Sequence, residues 1–149
     1  MNTNLGRSTH AVLRIAAGLM FLQHGLQKLV GTFGGVNGTT VALASQMGVA
    51  GILELVGGCL LIVGFMTRPT AIVLAGEMIA AYFIAHMPQG GWPIQNLGEL
   101  ALLYCAIFVF LAGNGAGPLS VDSWIPALSH RDRRTIADRR RRMTIESPA

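Results

Sequence analysis

The chain has 149 residues, of which 52% are hydrophobic and only 12% charged, and its mean hydropathy is +0.52. A soluble domain usually has about 25% charged residues, so this chain has too few to cover a water-exposed surface. Between residues 31 and 121 the formal charges are Glu54, Arg68, Glu77 and Glu99. The composition therefore argues against a soluble domain and indicates a small membrane protein.

Four apolar stretches follow one another along the chain, and each approaches the ~20 residues that span a bilayer core. They cover residues 11–30, 49–66, 69–86 and 97–112. Because backbone groups in lipid must be satisfied within their own segment, each stretch is predicted to be a transmembrane helix. The predicted fold class is all-α, a four-helix membrane bundle, since a soluble bundle would need polar helix faces. The first stretch is too long for a signal-peptide core and is expected to remain as a helix.

The distribution of basic residues predicts the orientation of the bundle. The arginines are Arg7, Arg14, Arg68 in the tight turn after the second span, and the seven from Arg131 to Arg142, and the one lysine is Lys28. The other two loops, residues 31–48 and 87–96, are glycine-rich and uncharged. By the positive-inside rule both termini and the Arg68 turn are predicted to be cytoplasmic, and both glycine-rich loops to face outward.

The membrane domain is predicted to cover residues 1–126, and residues 127–149 form a basic tail that includes the run RDRRTIADRRRR. Nucleic-acid binding is one interpretation of this tail. However, the tail has no aromatic residue to stack on bases, and it follows a membrane span directly. Attraction to anionic lipid explains it better, so we predict a disordered cytoplasmic tail and no nucleic-acid partner.

The first helix is predicted to turn one polar face toward the bundle. The residues of this face recur at intervals of four and three: Arg14, Gly18, Phe21, Gly25 and Lys28. His24 lies one turn before Lys28 on nearly the same face. Cations are costly against lipid tails and glycines permit close helix approach, so this face is expected to contact the other helices.

Each of the other three spans has one carboxylate that could neutralise these cations: Glu54, Glu77 and Glu99. At about 1.5 Å per residue, Glu54 and Glu99 fall at the depth of Lys28 and His24 in the outer half of the membrane. Glu77 lies near the middle, and we expect Arg14 to reach it and form a buried ion pair. His86, at the end of the third span, returns to the layer of His24.

Several of these residues have a structural explanation of equal weight. Buried ion pairs can serve only to fix helix register. Glu99 can be the third helical residue of a capping box that starts at Asn96. His24 and His86 lie on different helices and could hold a haem, but spacing alone does not select one, and a haem is disfavoured. No metal site is predicted, and the two cysteines lie in no C-x-x-C pattern.

Five short motifs follow one another between Arg14 and Asp122. They are R-x3-G-x6-G-x2-K at Arg14–Lys28, E-x2-GG-x5-G-x2-TR at Glu54–Arg68, His86 before a glycine-rich loop, G-E-x2-L-L-Y at Gly98–Tyr104, and Gly117-Pro118 followed by Ser120 and Asp122. In their order and spacing these motifs resemble the DoxX family of small bacterial membrane proteins. The resemblance implies a four-helix bundle in the bacterial cytoplasmic membrane. It also implies a link to quinone-linked sulfur oxidation or to complexes that handle oxidative or thiol stress. The family has no agreed catalytic residues to transfer.

Two functions follow from these expectations. The first is a membrane subunit of a quinone-linked oxidoreductase, in which Lys28, Glu99 and His86 bind a quinone headgroup and Glu54 and His24 exchange its proton. The electrons would come from a soluble or membrane partner protein, because the chain has no evident redox centre. The second is a non-catalytic membrane scaffold or small-solute carrier that the ion pairs hold together. Small residues four apart on the third helix also favour packing within the bundle or against a second copy.

Overall fold

The structure is a computed structural model that describes residues 3–125. The predicted tail, residues 127–149, lies outside the described residues. Within the described range the fold is all-α, with one isolated β-bridge between Val36 and Thr39 and no strand. The helices are α1 (Thr3–Val30), α2 (Gln46–Val63), α3 (Thr67–Ala81), α4 (Glu99–Asn114) and the short α5 (Val121–Trp124).

The ends of α2 follow from local hydrogen bonding. The Ser45 hydroxyl accepts a hydrogen bond from the Gly48 amide at 3.0 Å and so satisfies one free donor of the first turn. At the other end Gly64 has φ 69°, the left-handed conformation that terminates many helices. α3 then starts at Thr67, and Pro69 is tolerated because it lies in the first turn, where its missing amide costs no helical bond.

The chain between α3 and α4 differs from the predicted boundaries. α3 continues as one π-helical turn, Tyr82–His86, before a 3-10 turn. Leu97 has φ 57°, which a right-handed helix cannot include, so α4 starts at Glu99 instead of residue 97. The predicted capping box is therefore absent. Asn96 is 1% exposed and uses its side-chain oxygen to accept from the Gly98 amide at 2.8 Å within the loop.

Glycines bring α1 and α2 into direct backbone contact. A Cβ atom added at Gly25 would lie 2.5 Å from the Leu55 amide nitrogen and 2.8 Å from the Gly51 carbonyl oxygen. A Cβ at Gly58 would likewise lie 2.8 Å from the Gly18 carbonyl oxygen. No real Cβ atom approaches backbone this closely. The predicted inward face of the first helix is thus confirmed, and its glycines set the distance between α1 and α2.

The bundle consists of two helix pairs joined by a shared core. α1 packs mainly on α2, and α3 packs mainly on α4. The largest buried apolar side chains come from all four helices: Phe21, Leu61, Leu74, Phe108 and Leu111. α1 and α4 meet through aromatic rings, with the centroids of Phe21 and Phe108 4.6 Å apart. Large side chains therefore form the contact between α1 and α4. The backbones of these two helices do not meet as those of α1 and α2 do.

The apolar helices expose most of their surface. Gln46–Val63 and the helical stretch Thr67–Gln89 are long and apolar enough to cross a membrane, and only 33% and 22% of their most apolar segments are buried within the protein. A core helix of a soluble protein would be mostly buried, so these faces suit contact with lipid. α4 is apolar but shorter, and the polar face of α1 makes that helix less apolar. The two stretches indicate a membrane protein, and the count of four spans stays a prediction.

Glycine substitutions test the close contact between α1 and α2. We expect Gly25→Ala to lower the free energy of unfolding by about 1–3 kcal/mol, because its Cβ would force the two backbones apart. Gly76→Ala on α3 is the matched control, since a Cβ there meets nothing within 4 Å. Denaturation of both variants in detergent measures the difference. Equal stability of Gly25→Ala and the parent protein would contradict the close contact.

Candidate functional site

A buried ion pair joins α1 to α2. Lys28 Nζ lies 2.5 Å from Glu54 Oε1, and the two side chains are 14% and 5% exposed. The pair forms because the glycine contacts bring the helices together: a Cβ at Gly51 would lie 3.1 Å from the Lys28 Cβ. A hydrogen bond between two charged groups in such surroundings is short and strong, and each charge needs its partner. The sequence had placed these two residues at one depth, and the structure brings them into contact.

Glu77 on α3 lies beside this pair. Its carboxylate interacts electrostatically with both Glu54 and Lys28. Both of its oxygens are buried, and none of the described residues donates a hydrogen bond to them. Oε2 of Glu54 is in the same situation. The site therefore contains two carboxylates and one ammonium group, and three of its acceptor atoms receive no hydrogen bond from residues 3–125.

An aromatic group from α1 and α4 closes one side of the site. The rings of His24 and Tyr104 make an edge-to-face contact with centroids 6.3 Å apart, and Phe21 lies 4.9 Å from Tyr104. Both His24 and Tyr104 interact electrostatically with Glu54. Together Lys28, Glu54, Glu77, His24 and Tyr104 form what we call the polar cluster. Every long helix of the bundle contributes to it.

Arg14 does not pair with Glu77, which corrects the ion pair expected from the sequence. The fully buried guanidinium donates to the carbonyls of Leu61 and Ile62 at the end of α2 and to that of Leu119. The carboxylate that acts on Arg14 is that of Asp122. Arg14 lies 14 residues from Lys28, about 21 Å along the helix, whereas Glu77 lies in the Lys28 layer. Backbone carbonyls therefore accept from both terminal nitrogens of Arg14 at the opposite end of the bundle.

Asp122 extends this contact to the start of α3. Its two carboxylate oxygens accept hydrogen bonds from the amides of Met66 at 2.8 Å and Thr67 at 3.0 Å. A carboxylate in this position caps the helix and lies at the positive end of its dipole. Arg14 and Asp122 together tie α1 to the turn between α2 and α3. We call this part of the molecule the Arg14 end.

Two residues predicted to bind the ligand lie outside the polar cluster. Glu99 is exposed at the first position of α4. The His86 Nδ1 atom donates to the carbonyl of Asn96 at 3.0 Å and so holds the second loop. The π-helical turn inserts one extra residue before His86, which changes the direction of its side chain relative to a continuous α-helix. Neither residue contacts Lys28 or Glu54.

Tyr104 was not among the site residues predicted from the sequence. Charge alone selected the candidate residues, and a tyrosine has none at neutral pH. A usable signal was the spacing of Ala101, Tyr104, Phe108 and Leu111, which recur every three or four residues and are all buried. A polar group on that buried face should have been counted with the carboxylates.

No metal centre is evident in the part of the chain that the structure describes. Three or more histidine, cysteine, aspartate or glutamate side chains are nowhere grouped there so as to hold an ion. Cys59 is exposed on α2 and Cys105 is partly buried on α4, and both are free thiols. The chemistry of the polar cluster is therefore hydrogen bonding and proton exchange by carboxylate, ammonium, imidazole and phenol groups.

Comparison with known proteins decides the family. The family model described as DoxX matches residues 9–87, which is more than half of the chain and includes most of α1 and all of α2 and α3. The chain belongs to the DoxX family. The match contains His24, Lys28, Glu54 and Glu77, so four of the five members of the polar cluster lie in the region that the family model covers.

Two relatives are similar to this DoxX protein over most of its length. A Haemophilus influenzae protein described as uncharacterized is 41% identical over 117 residues, which cover 76% of this chain and 87% of the relative. A Bacillus subtilis protein named "Putative oxidoreductase CatD" is 29% identical over 120 residues, covering 76% of this chain and 84% of the relative. No solved structure matches significantly. Family membership and the two apolar helical stretches identify a membrane protein.

A double-mutant cycle tests the coupling of Lys28 and Glu54. We expect Lys28→Met to lower the free energy of unfolding by about 3–5 kcal/mol, because it leaves Glu54 as an uncompensated buried charge. Adding Glu54→Gln should recover most of that loss. Glu99→Gln serves as the control and should change stability little, since Glu99 is exposed. Additive losses in the double variant, measured by denaturation in detergent, would show that the two charges are not coupled.

Proposed function

We propose that this DoxX protein is a membrane subunit of a quinone-linked oxidoreductase or redox-stress complex, and that the polar cluster receives the quinone headgroup. The observation that carries the proposal is the buried Lys28–Glu54 pair with the unused oxygens of Glu77 beside it. A mostly apolar protein has little reason to bury so many polar atoms unless a ligand or a proton uses them. Charged groups of this kind are functional candidates by default inside a membrane.

Each member of the cluster has a chemical part in this proposal. Lys28 keeps two further N–H donors after bonding Glu54 and can donate one to a quinone oxygen. Reduction of a quinone to its dihydroxy form takes up two electrons and two protons, and Glu54 and His24 exchange these protons. Glu77 takes the part in ligand binding that the sequence had assigned to Glu99 and His86, because it is the second carboxylate, besides Glu54, that acts on Lys28. Tyr104 and Phe21 offer ring edges against which a flat headgroup can lie.

The electrons would come from a partner protein. Among the described residues there is no metal-binding group and no pair of neighbouring cysteines. In this proposal another protein of the oxidoreductase system delivers the electrons to the quinone. The name of the Bacillus subtilis relative, which contains the word oxidoreductase, fits a part in such a system. The partner or a second copy could pack on α3, where Gly76 and Ala80 are exposed.

The membrane arrangement is also part of the proposal. All four long helices would span the bacterial cytoplasmic membrane, with α1 able to do so because its polar face is turned toward α2. The Arg14 end, with Arg68 exposed beside it, would face the cytoplasm together with both termini. The polar cluster would then lie in the outer half of the membrane. The uncharged loops after α1 and α3 would face outward.

A non-catalytic scaffold or small-solute carrier is the second candidate, and one observation favours it. Lys28–Glu54 bridges neighbouring helices, and a buried pair in that position can serve only to fix their register. The two candidates differ in what happens when Glu54 loses its charge but keeps its shape.

Quinone retention tests the leading proposal. We expect a quinone to co-purify with the full chain from native membranes. Glu54→Gln should reduce the amount of quinone at least about tenfold, because it removes one hydrogen bond to a charged group. Glutamine still accepts from Lys28, and the Glu77 carboxylate remains to act on the ammonium charge, so the variant should remain folded. Glu99→Gln makes the same chemical change at an exposed site and should retain the quinone. Chromatography and mass spectrometry of the extracted lipids measure the amount. Full retention by Glu54→Gln, or a loss of folding alone, would favour the structural role.

Labelling from each side of the membrane tests the orientation. Gly91 and Gly113 lie near opposite ends of the bundle, and a Cβ at either meets nothing within 4 Å. In a chain with Cys59→Ser and Cys105→Ser, an impermeant maleimide should label Gly91→Cys in intact cells. It should label Gly113→Cys only after permeabilisation. Labelling of both from the same side would contradict four spans with cytoplasmic termini.

A further inference from the structure

The polar cluster contains more hydrogen-bond acceptors than its own donors reach. Glu54 Oε1 accepts from Lys28, but Glu54 Oε2 and both oxygens of Glu77 are buried without a donor from the described residues. Glu54 is 4% exposed, so its free oxygen is also closed to bulk solvent. A buried acceptor that finds no donor pays a desolvation penalty. A ligand that brings donors into the cluster removes that penalty.

The two redox forms of a quinone differ in this respect. The oxidised form presents carbonyl oxygens, which only accept hydrogen bonds. The reduced form presents hydroxyl groups, each of which donates one bond and can accept others. A carbonyl can therefore accept from Lys28. However, it adds another acceptor to a region in which three buried acceptors already lack a donor from the described residues. A hydroxyl can accept from Lys28 and donate to a carboxylate at the same time.

The positions of the groups suit such a two-way contact. Lys28 and Glu54 lie on the α1–α2 pair, and Glu77 lies on the α3–α4 pair, close enough for the three charges to act on one another. A hydroxyl between the two helix pairs could accept a hydrogen bond from Lys28 and donate one to Glu54 or Glu77. The join between α1 and α4 is made by the rings of Phe21, His24 and Tyr104, and a flat ring can lie against their edges.

Building on the quinone site proposed above, we infer that the polar cluster binds the reduced, dihydroxy form of the quinone more tightly than the oxidised form. Its hydroxyls donate to the free oxygens of Glu54 and Glu77 and accept from Lys28. Tighter binding of the reduced form makes the bound quinone easier to reduce. For a two-electron couple each tenfold preference raises the midpoint potential by about 30 mV. Electrons would thus flow from the partner protein to the quinone.

The test compares matched ligands on the full chain in lipid nanodiscs without oxygen. The probes are decylubiquinone, decylubiquinol and the dimethyl ether of that quinol, which keeps the aromatic ring but has no hydroxyl donors. Equilibrium dialysis measures each dissociation constant. We expect the quinol to bind about tenfold or more tightly than the quinone, as a hydrogen bond to a charged acceptor predicts. The dimethyl ether should bind no better than the quinone.

Substitutions assign the preference to the carboxylates. Glu77→Gln should bring the ratio of the two dissociation constants close to one, because the amide has donors of its own. This variant should fold, since it removes a buried charge that has no hydrogen bond. Glu54→Gln should lower the ratio as well. Glu99→Gln should leave it unchanged.

The outcomes separate this inference from the proposed function. If neither redox form binds, the quinone site itself is wrong. If both bind equally, or the quinone binds more tightly, the quinone site stands and the preference is overturned, as it would be if Glu77 carried its own proton. A preference for the quinol that survives both Glu77→Gln and Glu54→Gln would also overturn the inference, because the carboxylates would not be its cause.

Discussion

The bundle depends on the high cost of an unpaired charge away from water. Lys28 and Glu54 avoid this cost because they pair with each other at 2.5 Å. They can do so only because Gly25 and Gly51 allow α1 and α2 to touch backbone to backbone. The glycines therefore determine the helix spacing, and the spacing determines the ion pair. Glu77 approaches the same pair from α3 and remains without a hydrogen-bond donor among the described residues.

The two sides of α1 show how side-chain size controls what lies between helices. Toward α2, glycines remove side-chain volume and the backbones meet. Toward α4, Phe21 and His24 meet Tyr104 and Phe108 ring against ring. Rings hold the helices apart and can give way by rotation, which closely packed backbones cannot do. A flat ligand entering the bundle would therefore be accommodated more easily on the α4 side of α1.

Much of the fold was predictable because its cause is local. The inward face of α1 follows from residue spacing, and the Lys28–Glu54 contact follows from opposite charges at one depth. The Arg14–Glu77 pair was predicted wrongly because matching charges leaves out the backbone carbonyls, which also accept hydrogen bonds from a guanidinium. Glu99 and His86 were misplaced for geometric reasons: α4 starts two residues late, and a π-helical turn precedes His86. Such shifts arise from loop packing, which spacing rules do not include.

The buried cations at the two ends of the bundle differ in whether a proton can change their hydrogen bonds. Arg14 donates to the carbonyls of Leu61, Ile62 and Leu119, which do not titrate. Lys28 donates to Glu54, whose charge is lost when the carboxylate gains a proton. A proton taken up at Glu54 would therefore weaken the contact of Lys28 and leave the hydrogen bonds of Arg14 unchanged.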